Sequence, residues 1–377
     1  MGAIRLFLAL VVVFDHLRLF VLQKHGLDVN VAFALGFNAG YAVMFFYVIS
    51  GFLISFALSH KYGPTADGVR RFYENRFIRI FSAYWPMAII ILVLSSRVRA
   101  DFVQAGSIDQ LTGMLIFGMS SSIAFTDYPA LHWSAAIPTL LQAWTLDAEL
   151  SFYLVAPFLV RSRIAMVAVL VISAVIRAVL VSKYGFNTSW TYLFVPSTLL
   201  FFLLGGLSRF LAEQKFSLMM HPAFCAGAVV SCLLLMFPAY AGWDSLRFWL
   251  ATMAFVASLP AIFAATKNIS LLNWLGDLSY PLYLVHYPIV LKVADWANTG
   301  GLLNSVGPCA FTSLALLMCI CAAVALHYLL EKPAAGVLHR VIDRRVIALA
   351  RQGRWGRRPG AEPTPSILSA TSTRDQV

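Results

Sequence analysis

Apolar stretches long enough to cross a bilayer follow one another along almost the whole chain: 4–22, 38–58, 78–96, 144–161, 164–182, 190–211, 222–238, 244–265, 278–294 and 306–330. A hydrocarbon core of about 30 Å takes about 20 residues of helix, and lipid offers unpaired backbone groups no partner. This predicts an all-α, polytopic membrane protein with about ten transmembrane helices. Of the 377 residues, 60% are hydrophobic and 12% charged. That exceeds what a soluble core requires.

The formal net charge of +11 raises the question of nucleic acid. The basic residues, however, sit in the short connections and the tail, where they report topology and contact with anionic lipid. We therefore expect a lipid bilayer as partner and no nucleic acid. With the N-terminus inside, the inner connections carry Lys61, Arg70, Arg71, Arg76, Arg79, Arg161, Arg163, Arg209, Lys215 and Lys267. The outer ones carry fewer, among them Arg97, Arg99 and Lys183 beside several acids. The positive-inside rule and an even helix number put both termini in the cytoplasm.

Segment 108–126 is moderately apolar but carries Asp109 and Ser120-Ser121-Ser122. A span there would turn the basic tail outward, so it reads as interfacial or re-entrant. The enclosing connection, 97–143, reads as an outer lid or acceptor-binding region. The expected domains are a membrane domain, 1–335, and a basic, disordered cytoplasmic tail, 336–377. Leu6 to Phe14 has the length of a signal-peptide core, but Asp15, His16 and Arg18 follow it rather than a small-residue cleavage site. It reads as a retained first helix. Cys225, Cys232, Cys309, Cys319 and Cys321 lie in apolar runs without CxxC or Cys/His spacing, so buried thiols are expected, and no metal site.

Arg5 and His16 lie in one apolar stretch. Eleven residues of helix turn through about 1100°, three turns plus roughly 20°, and rise about 16 Å. The two side chains share a face, half a bilayer apart in depth, and titratable groups inside a membrane are costly and usually functional. An imidazole in the outer half can act as a general base near neutral pH; the alternative is a histidine bonded to a neighbouring helix for packing. Arg5 can hold an anionic ligand whose far end reaches His16, or anchor the helix at the inner surface.

Arg76 and Arg79 precede the third helix at i,i+3 spacing and can clamp a phosphate together; an ordinary basic loop is the plain alternative. Glu149 and Tyr153, i,i+4 near the start of the fourth helix, can face one cavity, and a carboxylate at that depth needs His16 or an arginine as partner. Asp147 reads as a helix-start acid favoured by the dipole. Tyr280, Tyr283 and His286 form a polar stripe at the start of the ninth helix, read as structural glue with His286 a secondary site candidate. Glu331-Lys332-Pro333 reads as a helix terminator with a surface acid.

In order along the chain, these motifs resemble the membrane-bound acyltransferase-3 family. Arg5 and His16 match its R-x10-H signature. Gly40 to Leu53, with Ser50-Gly51-Phe52-Leu53, resembles its second-helix motif. Arg76-Phe-Ile-Arg79-Ile, Trp144-Thr-Leu-Asp-Ala-Glu149-Leu-Ser-Phe-Tyr153, Ser279-Tyr280-Pro-Leu-Tyr283-Leu-Val-His286 and Glu331-Lys-Pro333 resemble the others. The departures, Ala42, Phe81 and Thr145, remove no charge.

The resemblance implies an O-acyltransferase of the bacterial inner (cytoplasmic) membrane. It would move an acetyl or other acyl group from cytoplasmic acetyl-CoA (acyl-CoA) to a hydroxyl of a cell-surface glycan, the acceptor partner, or its lipid-linked precursor. Catalysis would fall to His16, as general base or transient acyl carrier, with Glu149 orienting it or the acceptor. Arg5, Arg76 and Arg79 would bind the donor's phosphates, and Tyr153, Tyr280 and His286 would contact substrate or support the site. The rival is a secondary transporter exporting a small anion along the same cations; the absence of internal repeats weighs against it.

Overall fold

The structure is a computed structural model that describes residues 1–25, 39–104, 143–185, 189–192, 194–214, 221–236, 246–299 and 306–351. Among these there is no strand. The helices are α1 (Gly2–Leu17), α2 (Ala39–His60), α3 (Ala66–Leu94), α4 (Ser96–Gln104), α5 (Trp144–Leu159), α6 (Arg163–Tyr184), α7 (Val195–Glu213), α8 (Pro222–Met236), α9 (Leu246–Thr266), α10 (Ser270–Thr299), α11 (Pro308–Ala325) and α12 (Lys332–Arg351). Among the described residues, five helical stretches are long and apolar enough to cross a membrane: α2, α3, α6, α9 and the run Pro308–Arg344. Segment 108–126, most of connection 97–143, and the tail beyond residue 351 lie outside the described residues.

Exposure follows lipid rather than water. On α6, Ile164, Val167, Val171, Val175 and Val179 form one exposed stripe at helical spacing. Such a band on a soluble protein would be a docking or aggregation surface; in a bilayer it is the ordinary outer face. The chain is a multi-pass membrane protein, built inside out in this sense.

Helix starts differ from the apolar windows. The third apolar stretch begins at 78, but α3 begins at Ala66, so Arg70, Arg76 and Arg79 stand on a helix and not in a loop. Local polar chemistry extends it: Thr65 Oγ1 accepts from the Gly68 amide at 3.1 Å, and Arg70 pairs with both Asp67 and Glu74 at 2.6 Å. Caps and i,i+3 or i,i+4 ion pairs stabilise helix without hydrophobicity, which a hydropathy window does not register. α10 likewise starts before its apolar stretch, at Ser270, and Gly276–His286 runs through its interior.

The far end also departs from expectation. Pro333 does not terminate the helix. A π-helical stretch, Leu326–Glu331, precedes it and α12 continues beyond. Proline cannot donate to the carbonyl a turn back, and a shift to i→i+5 bonding is one way for a helix to absorb that loss. Glu331 is buried at 5% exposure rather than a surface acid. Met1–Ala335 forms one compact unit, and the part of α12 from Gly336 on belongs to a second.

Two further corrections concern polar residues. Among the cysteines whose side chains are described, only Cys319 is buried; Cys309 and Cys321 are exposed and Cys225 is intermediate. Arg209 is not in a connection: it is buried on α7, donates to Ser55 Oγ at 2.8 Å and pairs with Glu213. Arg177, also buried, donates to the Thr191 carbonyl at 2.5 Å and to Ser197 Oγ at 3.3 Å. These arginines join parts of the bundle through hydrogen-bonded guanidiniums.

The α2–α7 crossing is made at backbone contact. A β-carbon on Gly51 would lie 1.8 Å from the Phe202 carbonyl oxygen, and one on Gly205 would lie 1.9 Å from that of Val48. Backbone cannot yield as a side chain can. Gly51→Ala and Gly205→Ala should each cost about 1–3 kcal/mol and sharply reduce the monodisperse fraction in size-exclusion chromatography from detergent. Gly227→Ala, where nothing lies within 4 Å, should not.

Candidate active site

A cavity of about 150 Å³ opens where α1, α2, α3, α5 and α10 meet. Each helix contributes one face of its own period. Phe46, Ser50 and Leu53 come from α2; Arg76 and Arg79 from α3; Thr145, Glu149 and Tyr153 from α5; Ser279, Tyr280 and Tyr283 from α10; and Arg5 from α1. Successive positions on α5 are four apart and fall on one side of that helix. The structure thus brings together Arg5, Arg76, Arg79, Glu149, Tyr153 and Tyr280, residues spread over 276 positions from Arg5 at one end to Tyr280 near the other, around one space.

The lining is cationic and aromatic. The Arg76 guanidinium lies 5.8 Å from the Tyr153 ring centre, and that of Arg79 lies 5.8 Å from the Tyr280 ring centre. Tyr280 is held by its hydroxyl, which donates to the Ile80 carbonyl at 2.8 Å. Glu149 accepts from Ser50 Oγ at 2.9 Å and from the Tyr153 hydroxyl. Its expected partnership with His16 is not made: Glu149 serves the cavity, where Arg5 is a charged neighbour. Arg5 Nε and Arg76 Nε are buried without a hydrogen-bond partner. Buried donors left unmade are costly, and a cavity lined by three guanidiniums and one carboxylate suits an anionic group.

Arg5 reaches this place because α10 has no side chain at position 276. A β-carbon on Gly276 would lie 2.6 Å from Arg5 Nη2 and 2.5 Å from the Gly2 α-carbon. The glycine both admits the guanidinium and lets α1 and α10 touch.

His16 stands elsewhere on the same helix face. Neither it nor His286 lines the cavity. His16 Nδ1 is 3.1 Å from His286 Nε2, and the two rings stack with centroids 5.1 Å apart. Tyr287 meets His16 edge-on at 5.4 Å, and Phe20 stacks on it at 5.9 Å. Asp15 is engaged by Arg18, whose Nε donates to it at 3.0 Å. The cavity and the histidine pair adjoin through α10: Tyr283 lines the cavity and bonds Thr145 at 2.9 Å, and its carbonyl accepts from His286 at 2.7 Å.

Sequence reasoning missed one group. Glu331, buried, bonds His327 at 2.7 Å and stands 3.7 Å from Arg79. The signal was present as two titratable residues spaced i,i+4 in an apolar helix, a pattern that points to a shared interior face. Because Arg79 is about one-third exposed (32%) and the ion pair is long, its worth is small. A double-mutant cycle with Arg79→Gln and Glu331→Gln should give a coupling of about 1 kcal/mol or less, read from thermal unfolding in detergent.

Comparison with known proteins gives the family. A Bacillus subtilis (strain 168) protein provisionally named peptidoglycan O-acetyltransferase YrhL is 25% identical over 348 residues, covering 82% of this chain and 52% of its own length. The chain thus spans about half the length of the curated relative it matches. No solved structure matches it. The model of the acyltransferase domain family matches residues 1–328, which takes in the whole cavity and both histidines, and the chain therefore belongs to the acyltransferase-3 family.

Proposed function

We propose that the protein is an integral-membrane O-acyltransferase that moves an acetyl or other acyl group from cytoplasmic acyl-CoA to a hydroxyl of a cell-surface glycan or its lipid-linked precursor. The observation that carries this reading is the convergence of Arg5, Arg76 and Arg79 on one cavity with two buried guanidinium donors unmade. Family membership supplies the reaction class, and the named relative makes peptidoglycan the first acceptor to test.

The volume limits what the cavity would hold. Sites for drug-sized ligands run from about 300 to 1,000 Å³, so about 150 Å³ suits a phosphate group or the narrow thioester arm, not a whole nucleotide. Arg5, Arg76 and Arg79 would hold the donor's phosphates by charge-assisted hydrogen bonds. His16 would take the acceptor hydroxyl's proton as its oxygen attacks the thioester carbonyl carbon. The C–S bond then breaks, and the proton passes to the departing thiolate. In the acyl-carrier version a His16 ring nitrogen attacks the thioester carbonyl carbon, the C–S bond breaks, and the acceptor hydroxyl then takes the acyl group from nitrogen as its proton passes to the thiolate.

We place about ten spans and both termini on the cytoplasmic side, which sets the arginine end toward the donor. Incubating membranes with acetyl-labelled acetyl-CoA and purified peptidoglycan strands should place label on the glycan. Label that stays on the donor with every glycan class offered would overturn the reading.

A further inference from the structure

The histidine pair carries a chemical instruction. His286 is 0% exposed, with Nδ1 2.7 Å from the Tyr283 carbonyl oxygen. A carbonyl only accepts, so that Nδ1 bears the proton. A neutral imidazole has one N–H, which leaves His286 Nε2 as a bare acceptor. Its partner at 3.1 Å is His16 Nδ1, which must then donate. His16, whose ring also has a backbone hydrogen bond to Val12, then carries its lone pair on Nε2. Backbone carbonyl, first imidazole and second imidazole form a chain in which each bond dictates the proton position of the next.

Resting on the reading of His16 as the base, we propose that His286 is a positioning residue that holds His16 in the Nδ1–H tautomer, with Nε2 as the proton-accepting atom. In the reaction, Nε2 gains the acceptor hydroxyl's proton while Nδ1–H stays directed at His286 Nε2. When Nε2 passes that proton to the thiolate, His16 returns to its starting form, so no further donor or acceptor of protons is consumed. The stacked ring of His286 and the edge of Tyr287 also restrict rotation of the His16 ring. A wrong tautomer presents N–H where a lone pair is required, and such an error costs orders of magnitude in rate even with geometry intact.

The test uses full-length protein in nanodiscs, with labelled acetyl-CoA and peptidoglycan strands as probes. His286→Leu should lower kcat about 100-fold with the KM for acetyl-CoA within about two-fold, since the donor contacts lie elsewhere. His286→Gln, whose side-chain oxygen can accept from His16 Nδ1, should recover at least about a third of the wild-type rate. A readout independent of turnover is nitrogen NMR of histidine-labelled protein, with the His16 signals assigned by their absence in His16→Ala. Wild type should show a protonated Nδ1 and bare Nε2, and His286→Leu should shift His16 toward Nε2–H. Should His286→Leu not fold, His286→Gln and the wild-type spectrum decide. The proposal is overturned if His286→Leu keeps its rate while His16→Ala is inactive, if folded His286→Gln is as inactive as His16→Ala, or if wild-type His16 carries its proton on Nε2. If His16→Ala itself retains full activity, the base assignment has failed, which is a separate result.

Discussion

His16→Ala protein should lose about 10³-fold or more in acyl transfer while its KM for acetyl-CoA changes by less than about two-fold. General base catalysis contributes about 10²- to 10⁴-fold, and an acyl carrier is harder still to replace, so both versions of the mechanism predict the same collapse. Donor affinity should survive because His16 lies outside the cavity that holds the arginines. His16 is only partly buried and packs beside Phe20, Tyr287 and His286, so alanine leaves an aromatic gap but no unpaired charge. Initial rates over a range of acetyl-CoA concentrations decide the matter. A His16→Ala enzyme that works at the normal rate eliminates the base and the carrier together.

Removing the Arg5 guanidinium should have the second largest effect, and of the opposite kind. Arg5→Met should raise the KM for acetyl-CoA by about 30- to 1,000-fold, the equivalent of about 2–4 kcal/mol for a buried charge-assisted contact. Lysine should rescue little, because a point charge does not reproduce the planar fork. Acetyl-pantetheine, which shares the thioester arm but lacks the phosphates, separates binding of phosphate from general damage. If Arg5 and its neighbours hold phosphate, wild type and Arg5→Met should use acetyl-pantetheine about equally poorly. An Arg5→Met enzyme with unchanged KM for acetyl-CoA would remove the arginines from donor recognition. Comparable but smaller changes are expected at Arg76, where a buried Nε is also unmade, and smaller again at Arg79, part of whose charge is answered by Glu331.

The all-helical class and the faces of particular helices were legible in the chain itself. Both depend on local regularities: about 20 apolar residues for a span, and 3.6 residues per turn for a face. The alignment of Arg5 with His16, of Arg76 with Arg79, and of Glu149 with Tyr153 needed nothing more. The polar extension of α3 was not legible in hydropathy, because a cap and ion pairs sustain it. Nor was the fate of Pro333, which breaks an isolated helix but is accommodated here after the π-helical stretch Leu326–Glu331.

What the sequence determined by itself is therefore the class of molecule and, on particular helices, which polar side chains share a face. Which of those side chains meet was decided only by tertiary packing. Glu149 joins Ser50 and Tyr153, His16 joins His286 from 270 positions away, and Glu331 reaches Arg79. The periodicity of one helix says nothing of its rotation or depth against another. Those are set by close contacts such as Gly2 on Gly276 and Gly51 on Phe202, where the absence of a single carbon fixes how two helices cross.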